Sequence, residues 1–364
     1  MKKRTWFGLI VVLLIGVGGV MVSNLNAAVN QGGYSSTQYS DGKFHNTHET
    51  EKTSLGKTLE IFWRFFTEQK VNAVPKVDMP IKELTEANLK ALSDTQTHVI
   101  KLGHSSVLIK AQGQYLLIDP VFAERASPFS FIGPKRFHQP PITIESLPQI
   151  DKVLISHNHY DHLDKESVKR LADRVGAFYV PLGVEGDLQK WGVPAEKIKQ
   201  FDWWQFEETA ELTLTFTPTQ HFSGRGLGDA NKTLWGAWAI RTADKNIFFS
   251  GDSGYFAGFK EIGERLGPFD LTLVETGAYD KDWSDIHMTP EQSVQAHIDL
   301  RGTHMIPIHN GTFDLAFHSW FDPLARVKIA AEQNQVALVT PVVGEVLTLS
   351  ETLSSSSWWE ALMP

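Results

Sequence analysis

The sequence predicts an α/β domain, and three observations predict it. From about His98 onward, short runs rich in β-branched and aromatic residues alternate with stretches of helical period. Several of these runs stop abruptly at a His or an Asp. The composition, 42% hydrophobic and 21% charged over 364 residues, is that of a folded globular chain with room for one large domain or two ordinary ones.

The elements follow in order. MKKR, the apolar run from Trp6 to Val22 and the small residues Ala27 and Ala28 have the form of a secretory signal peptide. Residues 1–28 are therefore expected to be removed, or kept as an N-terminal membrane anchor. Either outcome exports the rest to the periplasm or the cell-envelope membrane. Residues 29–95 read as a linker with a short helical extension: a polar Gly/Ser/Thr-rich part to residue 54, then LGKTLEIFWRFFTEQK, where Leu59, Phe62 and Phe66 recur at helical spacing. The main domain is expected over 96–350, with a C-terminal tail over 351–364.

Within the domain, THVIKLGHSSVLIKAQGQYLLIDPVF predicts short strands with a turn at Gly113-Gln114. KVLIS is a further strand. Asp164 has the form of an N-cap, with Val168, Leu171 and Val175 facing inward and Gly176 as the stop. AFYVPLG, ELTLTFTPT, WGAWAIRT, NIFFSGD, LTLVETG and HMIPIHNG predict strands; PEQSVQAHIDL and DPLARVKIAAEQN predict helices. No repeat of solenoid period is present, although two strand-rich halves are compatible with a hidden duplication.

The chemistry concentrates in VLISHNHYDHLD. His157 and His159, two residues apart, leave a strand end on one side, and Asp161 and His162 follow as the chain turns. The chain has no cysteine, so a metal must be held by His, Asp or Glu, donors that zinc accepts. Four such groups in six residues exceed what one tetrahedral ion takes from so short a segment, which suggests two neighbouring ions. Further donors stand after other apolar runs: His221, Asp252 and His309. A lone His at a strand end is ordinarily a satisfied structural residue; the coincidence of four such sites is what points to a dinuclear centre.

The H-x-H-x-D-H motif, with the later His, Asp and His, resembles the metallo-β-lactamase superfamily. More narrowly, SHNHYDHLD, IDPVFAERASPFSFIGPKRF, DANKTLWGAW and SGDSGYFAGFKEIGERLGPFDL resemble the N-acylphosphatidylethanolamine-hydrolysing phospholipase D family, from roughly His98 to about residue 330. The resemblance implies an αββα sandwich of two mixed sheets with outer helices. It also implies two Zn²⁺ per chain, one on His157, His159 and His221, the other on Asp161, His162 and His309, with Asp252 between them. On this reading Asp161, Asp252 and His287 are the catalytic candidates. The two ions would supply a nucleophilic water near neutral pH. Asp119 is a candidate for orienting a ligand histidine, or for capping the turn before Pro120. His104 and His287 are further polar candidates, and Tyr279 a candidate substrate contact; Asp285 and His318 receive no role.

The expected substrate is a phospholipid, cleaved as in N-acylphosphatidylethanolamine hydrolysis. A lactone, a β-lactam or another phosphodiester is the alternative within the same fold. A purely structural metal role fits poorly, because structural zinc sites are closed. The chain lacks both the H-x-K-x₄-D signature of the phosphohistidine phospholipases D and a P-loop. A net charge of −8 argues against nucleic acid as partner. The aromatic clusters EIFWRFF, FDWWQF and SSSSWWEALMP are compatible with a membrane surface, the last as the best exposed, or equally with core filling. The sequence assigns no oligomeric state.

Overall fold

The computed structural model describes residues 33–48, 50, 54–353 and 356–364. The expected leader, 1–28, lies outside the described residues. In chain order the elements are β1 (Tyr39–Ser40), β2 (Lys43–Phe44), α1 (Leu55–Thr67), α2 (Glu86–Lys90), β3 (His98–Gly103), β4 (Ser106–Ala111), β5 (Gln114–Ile118) and β6 (Ile150–Leu154). There follow α3 (Lys165–Leu171), β7 (Val175–Pro181), α4 (Glu185–Lys190), β8 (Ile198–Phe201), β9 (Phe206–Glu208), β10 (Leu212–Thr217), β11 (Ala237–Thr242) and β12 (Asn246–Phe249). The chain continues through α5 (Gly258–Leu266), β13 (Phe269–Glu275), α6 (Pro290–Asp299), β14 (Gly302–Ile308), α7 (Asp322–Gln333), β15 (Ala337–Leu338) and β16 (Val346–Thr348).

Two seven-stranded sheets result, ordered β16-β3-β4-β5-β6-β7-β8 and β9-β10-β11-β12-β13-β14-β15. Each is antiparallel through its first three pairings and parallel through the remaining three. The suspected duplication is thus visible as a repeated pairing pattern, with β16 returning from the C-terminal end to complete the first sheet.

Alternation builds the layers. In β4, Val107 and Ile109 enter the core between the sheets while Leu108 faces outward; in β5, Leu116 and Ile118 point in, and Tyr115 and Leu117 point out. Both faces are buried, so these strands read as continuous apolar runs rather than as alternating ones. Phe216, Trp238, Phe249 and Leu273 supply the inner face of the second sheet. Val168 and Leu171 of α3 and Leu188 of α4 cover the first sheet. Phe259 of α5, Val294 of α6 and Val327 of α7 cover the second. The architecture is the αββα sandwich.

Four local expectations change. The segment taken as a linker contains β1 and β2, and Phe44 is fully buried in the core between the sheets, so part of it is domain rather than tether. The turn after β4 falls at Gln112-Gly113, both at positive φ, one residue earlier than expected. The helix capped by Asp164, whose carboxylate accepts the N–H groups of Glu166 and Ser167, stops at Leu171; Val175 and Gly176 open β7, because parallel pairing with β6 claims their backbone. Trp359, expected at an exposed tail, is 1% exposed and packs with Met79, Trp320 and Leu324. Burying so large a ring outweighs leaving it to solvent. In α1, Leu59 is exposed, whereas the side chains of Phe62 and Phe66 lie outside the described residues.

Candidate metal centre

Every candidate ligand sits just past a strand. His157, His159, Asp161 and His162 fill the loop between β6 and α3; His221 follows β10, Asp252 follows β12, and His309 directly follows β14. Their side chains meet. His157 Nε2 is 2.9 Å from His159 Nδ1, which is 3.2 Å from His221 Nε2. Asp252 Oδ2 lies 3.7 Å from His157 Nε2 and 3.8 Å from His221 Nε2. A second group gathers beside it: His309 Nε2 is 3.1 Å from Asp161 Oδ2 and 3.0 Å from Asp252 Oδ2, and His162 Nε2 is 3.1 Å from Asp252 Oδ1. All seven predicted ligands are therefore brought together, in two clusters that share Asp252.

The donor atoms fit a metal better than they fit one another. Donors bound tetrahedrally at 2.0–2.1 Å stand about 3.3 Å apart, close to the separations above. His221 Nδ1–H donates to the Ile286 carbonyl at 3.0 Å, leaving Nε2 as a lone pair toward the cluster. His162 Nδ1–H donates to Asp119 Oδ2 at 2.7 Å, so that Nε2 is the atom turned toward the cluster. Ser156 Oγ–H donates to Asp119 Oδ2 at 2.5 Å, so the hydroxyl oxygen is free to accept from His157 Nδ1, 2.9 Å away. The free ring nitrogens thus turn toward common points, and His162 Nε2 and Asp252 Oδ1 are buried without a hydrogen-bond partner. His, Asp and the spacing present suit a divalent cation in each cluster.

The loop bearing Asp119 does more than turn before Pro120. Its fully buried carboxylate also accepts the Ser156 N–H at 2.7 Å, so it ties β5 to the start of the metal-ligand loop. His104 reaches Asp161 Oδ2 through Nε2 at 2.9 Å, at the edge of the second cluster. Asp119, His104 and His309 all adopt positive φ (41°, 51° and 62°), a strain of about 1–3 kcal/mol for each non-glycine residue. Tyr279 is not brought to the clusters: its hydroxyl pairs with Asp322 and its ring stacks on His318 at 4.5 Å.

Glu275, at the end of β13, was not singled out by the sequence. It is fully buried, accepts the Ser253 N–H at 2.7 Å and pairs with His287 Nδ1. His287 lies between the two clusters, its ring 5.1 Å from His221 and 5.4 Å from His309. The signal was the one used for Asp252, an acid closing an apolar run.

Buried charge sets the electrostatics. Burial works against protonating His309, but the Asp252 and Asp161 carboxylates overcome it and raise this imidazole to about 10. The same opposition leaves His162 well above the ordinary range. Burial, aided by neighbouring imidazoles, dominates at His159, lowered to about 4, and at His104, lowered to about 3. Without metal, protons on His162 and His309 balance the carboxylates that a cation would otherwise neutralise. The raised value of His309 stabilises the metal-free fold below about pH 6.5, the ordinary imidazole value, and that contribution is lost as pH rises through about 10; His162 acts in the same direction. The thermal midpoint of chelator-treated protein is accordingly expected to fall between pH 7 and 10. Metal affinity should rise over the same interval, with roughly two protons released per chain on loading. Calorimetry in buffers of different ionisation heat measures that release; none at pH 7 would contradict the assignment.

Comparison with known proteins places this geometry. Residues 114–310 match the model of the beta-lactamase superfamily domain. An uncharacterized protein of Mycobacterium tuberculosis is 38% identical over 330 residues, 89% of this chain and 87% of that one, so the likeness extends past the stretch from His98 to residue 330. The N-acyl-phosphatidylethanolamine-hydrolyzing phospholipase D 1 of Caenorhabditis elegans is 34% identical over 290 residues, 75% of this chain and 81% of that one. A solved metallo hydrolase from the archaeon Ignicoccus hospitalis superposes with a TM-score of 0.55 at 21% identity, over 70% of this chain and 98% of that one, which shows the shared fold. The strand-end clusters are those of a metal-dependent hydrolase fold, and with these relatives the chain belongs to the metallo-β-lactamase superfamily, within the N-acylphosphatidylethanolamine-hydrolysing phospholipase D-like family.

Proposed function

We propose that the chain is a dinuclear zinc phosphodiesterase of phospholipase D type that hydrolyses N-acylphosphatidylethanolamine-like lipids. The observation that carries this reading is the shared carboxylate: Asp252 presents Oδ1 to His162 and Oδ2 to His309, His157 and His221, so one residue serves both clusters. His157, His159 and His221 would hold one zinc, and Asp161, His162 and His309 the other. Bound, the pair would supply an activated water and charge for the phosphoryl oxygens. The chain's own groups do the rest. Asp119 and the Ile286 carbonyl fix ring orientations, and His104 braces Asp161. His287, whose Nδ1 pairs with Glu275, would give a proton from Nε2 to the departing alkoxide.

The substrate class rests on the likeness to the C. elegans phospholipase D, and exposed apolar side chains support it. Phe222 is 40% exposed with its ring 4.5 Å from that of His159, at the edge of the centre. Trp63 and Phe131 are 65% and 77% exposed. Such rings favour a lipid interface. Helix α1 carries Trp63 and is clamped to the loop before His287 by Lys57–Asp282 (2.7 Å) and Arg64–Asp280 (2.8 Å). Among the described residues no helix is long and apolar enough to cross a membrane. Contact with a membrane surface, at the periplasmic face to which residues 1–28 would deliver the chain, is part of the proposal.

Zinc-loaded protein offered vesicles containing a defined N-acylphosphatidylethanolamine should release phosphatidate and an N-acylethanolamine, identified by mass spectrometry. Turnover of only a homoserine lactone or a cephalosporin, offered in parallel, would replace this reading with the other hydrolase chemistry.

A further inference from the structure

The N-terminal arm reaches the centre through one side chain. Asn46 stands 175 residues from His221 in sequence, yet its Nδ2 donates to the His221 carbonyl at 2.8 Å. Its Oδ1 accepts the His221 N–H at 3.1 Å and the Trp235 Nε1–H at 3.0 Å. His221 lies beyond the end of β10, where among the described residues no strand pairs with its backbone, and the carboxamide takes the place of a neighbouring strand by answering both peptide groups. The Ile286 carbonyl holds Nδ1. Backbone N–H, backbone C=O and ring are therefore all fixed, and only Nε2 is left for a ligand.

The arm is itself held firmly. Phe44, two residues before Asn46, is fully buried, with ring centroids 5.2 Å from Tyr34 and 4.9 Å from Tyr39. Its N–H donates to the Asn231 carbonyl at 2.8 Å. A donor–acceptor side chain two residues from such an anchor has a defined reach, which a polar tether would not have.

We propose that Asn46 is a positioning residue for His221, and that docking of the arm and binding of a cation by His157, His159 and His221 are coupled. This rests on the metal-centre reading above. The coupling is reciprocal: an ordered His221 raises cation affinity, and a bound cation steadies the arm.

The test uses the full chain and cobalt(II) alone as probe. Partners that orient ligand residues are worth roughly 10–100-fold in metal affinity. In Asn46→Ala, one of two bound cobalt ions should be lost to a competing chelator that much more readily, with a changed visible spectrum, while the other is retained. Asn46→Asp turns a carboxylate toward the His221 carbonyl and should behave no better. Cobalt should slow hydrogen exchange over residues 39–48 in the wild type and fail to do so in Asn46→Ala. If the wild type binds two ions and Asn46→Ala matches its affinity, spectrum and exchange, this inference is overturned alone. A wild type that binds no cobalt overturns the metal-centre reading, and this inference with it.

Discussion

Asp252→Ala is expected to abolish turnover while leaving the far-ultraviolet circular dichroism unchanged. The carboxylate lies within 3.0–3.8 Å of imidazole nitrogens from both clusters, so its removal disrupts both at once. Losing an outer partner of a ligand costs roughly 10–100-fold, and losing the shared ligand itself should cost at least that in affinity for each ion. The fold should survive, because Asp252 sits in a loop past β12 and contributes nothing to the apolar core. Metal analysis of the purified variant should show substoichiometric zinc. Wild-type turnover would remove Asp252 from its assigned place.

Asp119 carries the second large effect, through a different route. Three donors point at its buried carboxylate: the Ser156 N–H, the Ser156 hydroxyl and His162 Nδ1. In Asp119→Asn the amide NH₂ must face at least one of them. Against His162 it drives the imidazole proton to Nε2, the atom meant for the cation. Affinity at the second cluster should fall roughly 10–100-fold, read by chelator competition. Asp119→Ala leaves the donors unanswered in a buried place and should cost about 3–5 kcal/mol of stability, read by urea unfolding of the metal-free protein. Full stability and full affinity in both variants would confine Asp119 to a turn.

The strand ends were legible because period and chemistry change together there. VLIS gives way to HNHYDH within one residue, and IFFSGD and MIPIHN repeat that change. Glu275 carried the same mark in LTLVETG, but an acid beside a threonine and a glycine reads equally as the start of a turn. Asn46 carried no mark at all. A polar residue in a Gly/Ser-rich stretch reveals nothing of a partner 175 positions away, since only the closed fold brings them together. Trp359 misled for the reverse reason: a serine run before two tryptophans looks like an exposed tail, and only the packing of Met79, Trp320 and Leu324 makes a place for the ring. The repeated sheet pattern ties these findings together. His104 and His221 each follow the second strand in the order of their sheet, and Asp119 and Asp252 each follow the fourth. One arrangement thus supplies donors from both halves to one edge of the sandwich.

The central claim is that seven side chains from four strand ends grip two divalent cations. Anomalous diffraction recorded at the zinc edge from crystals grown with zinc tests it most directly. Two peaks are expected, one enclosed by His157, His159, His221 and Asp252, the other by Asp161, His162, His309 and the same Asp252. No peak at either cluster, or zinc bound only elsewhere on the surface, would contradict it.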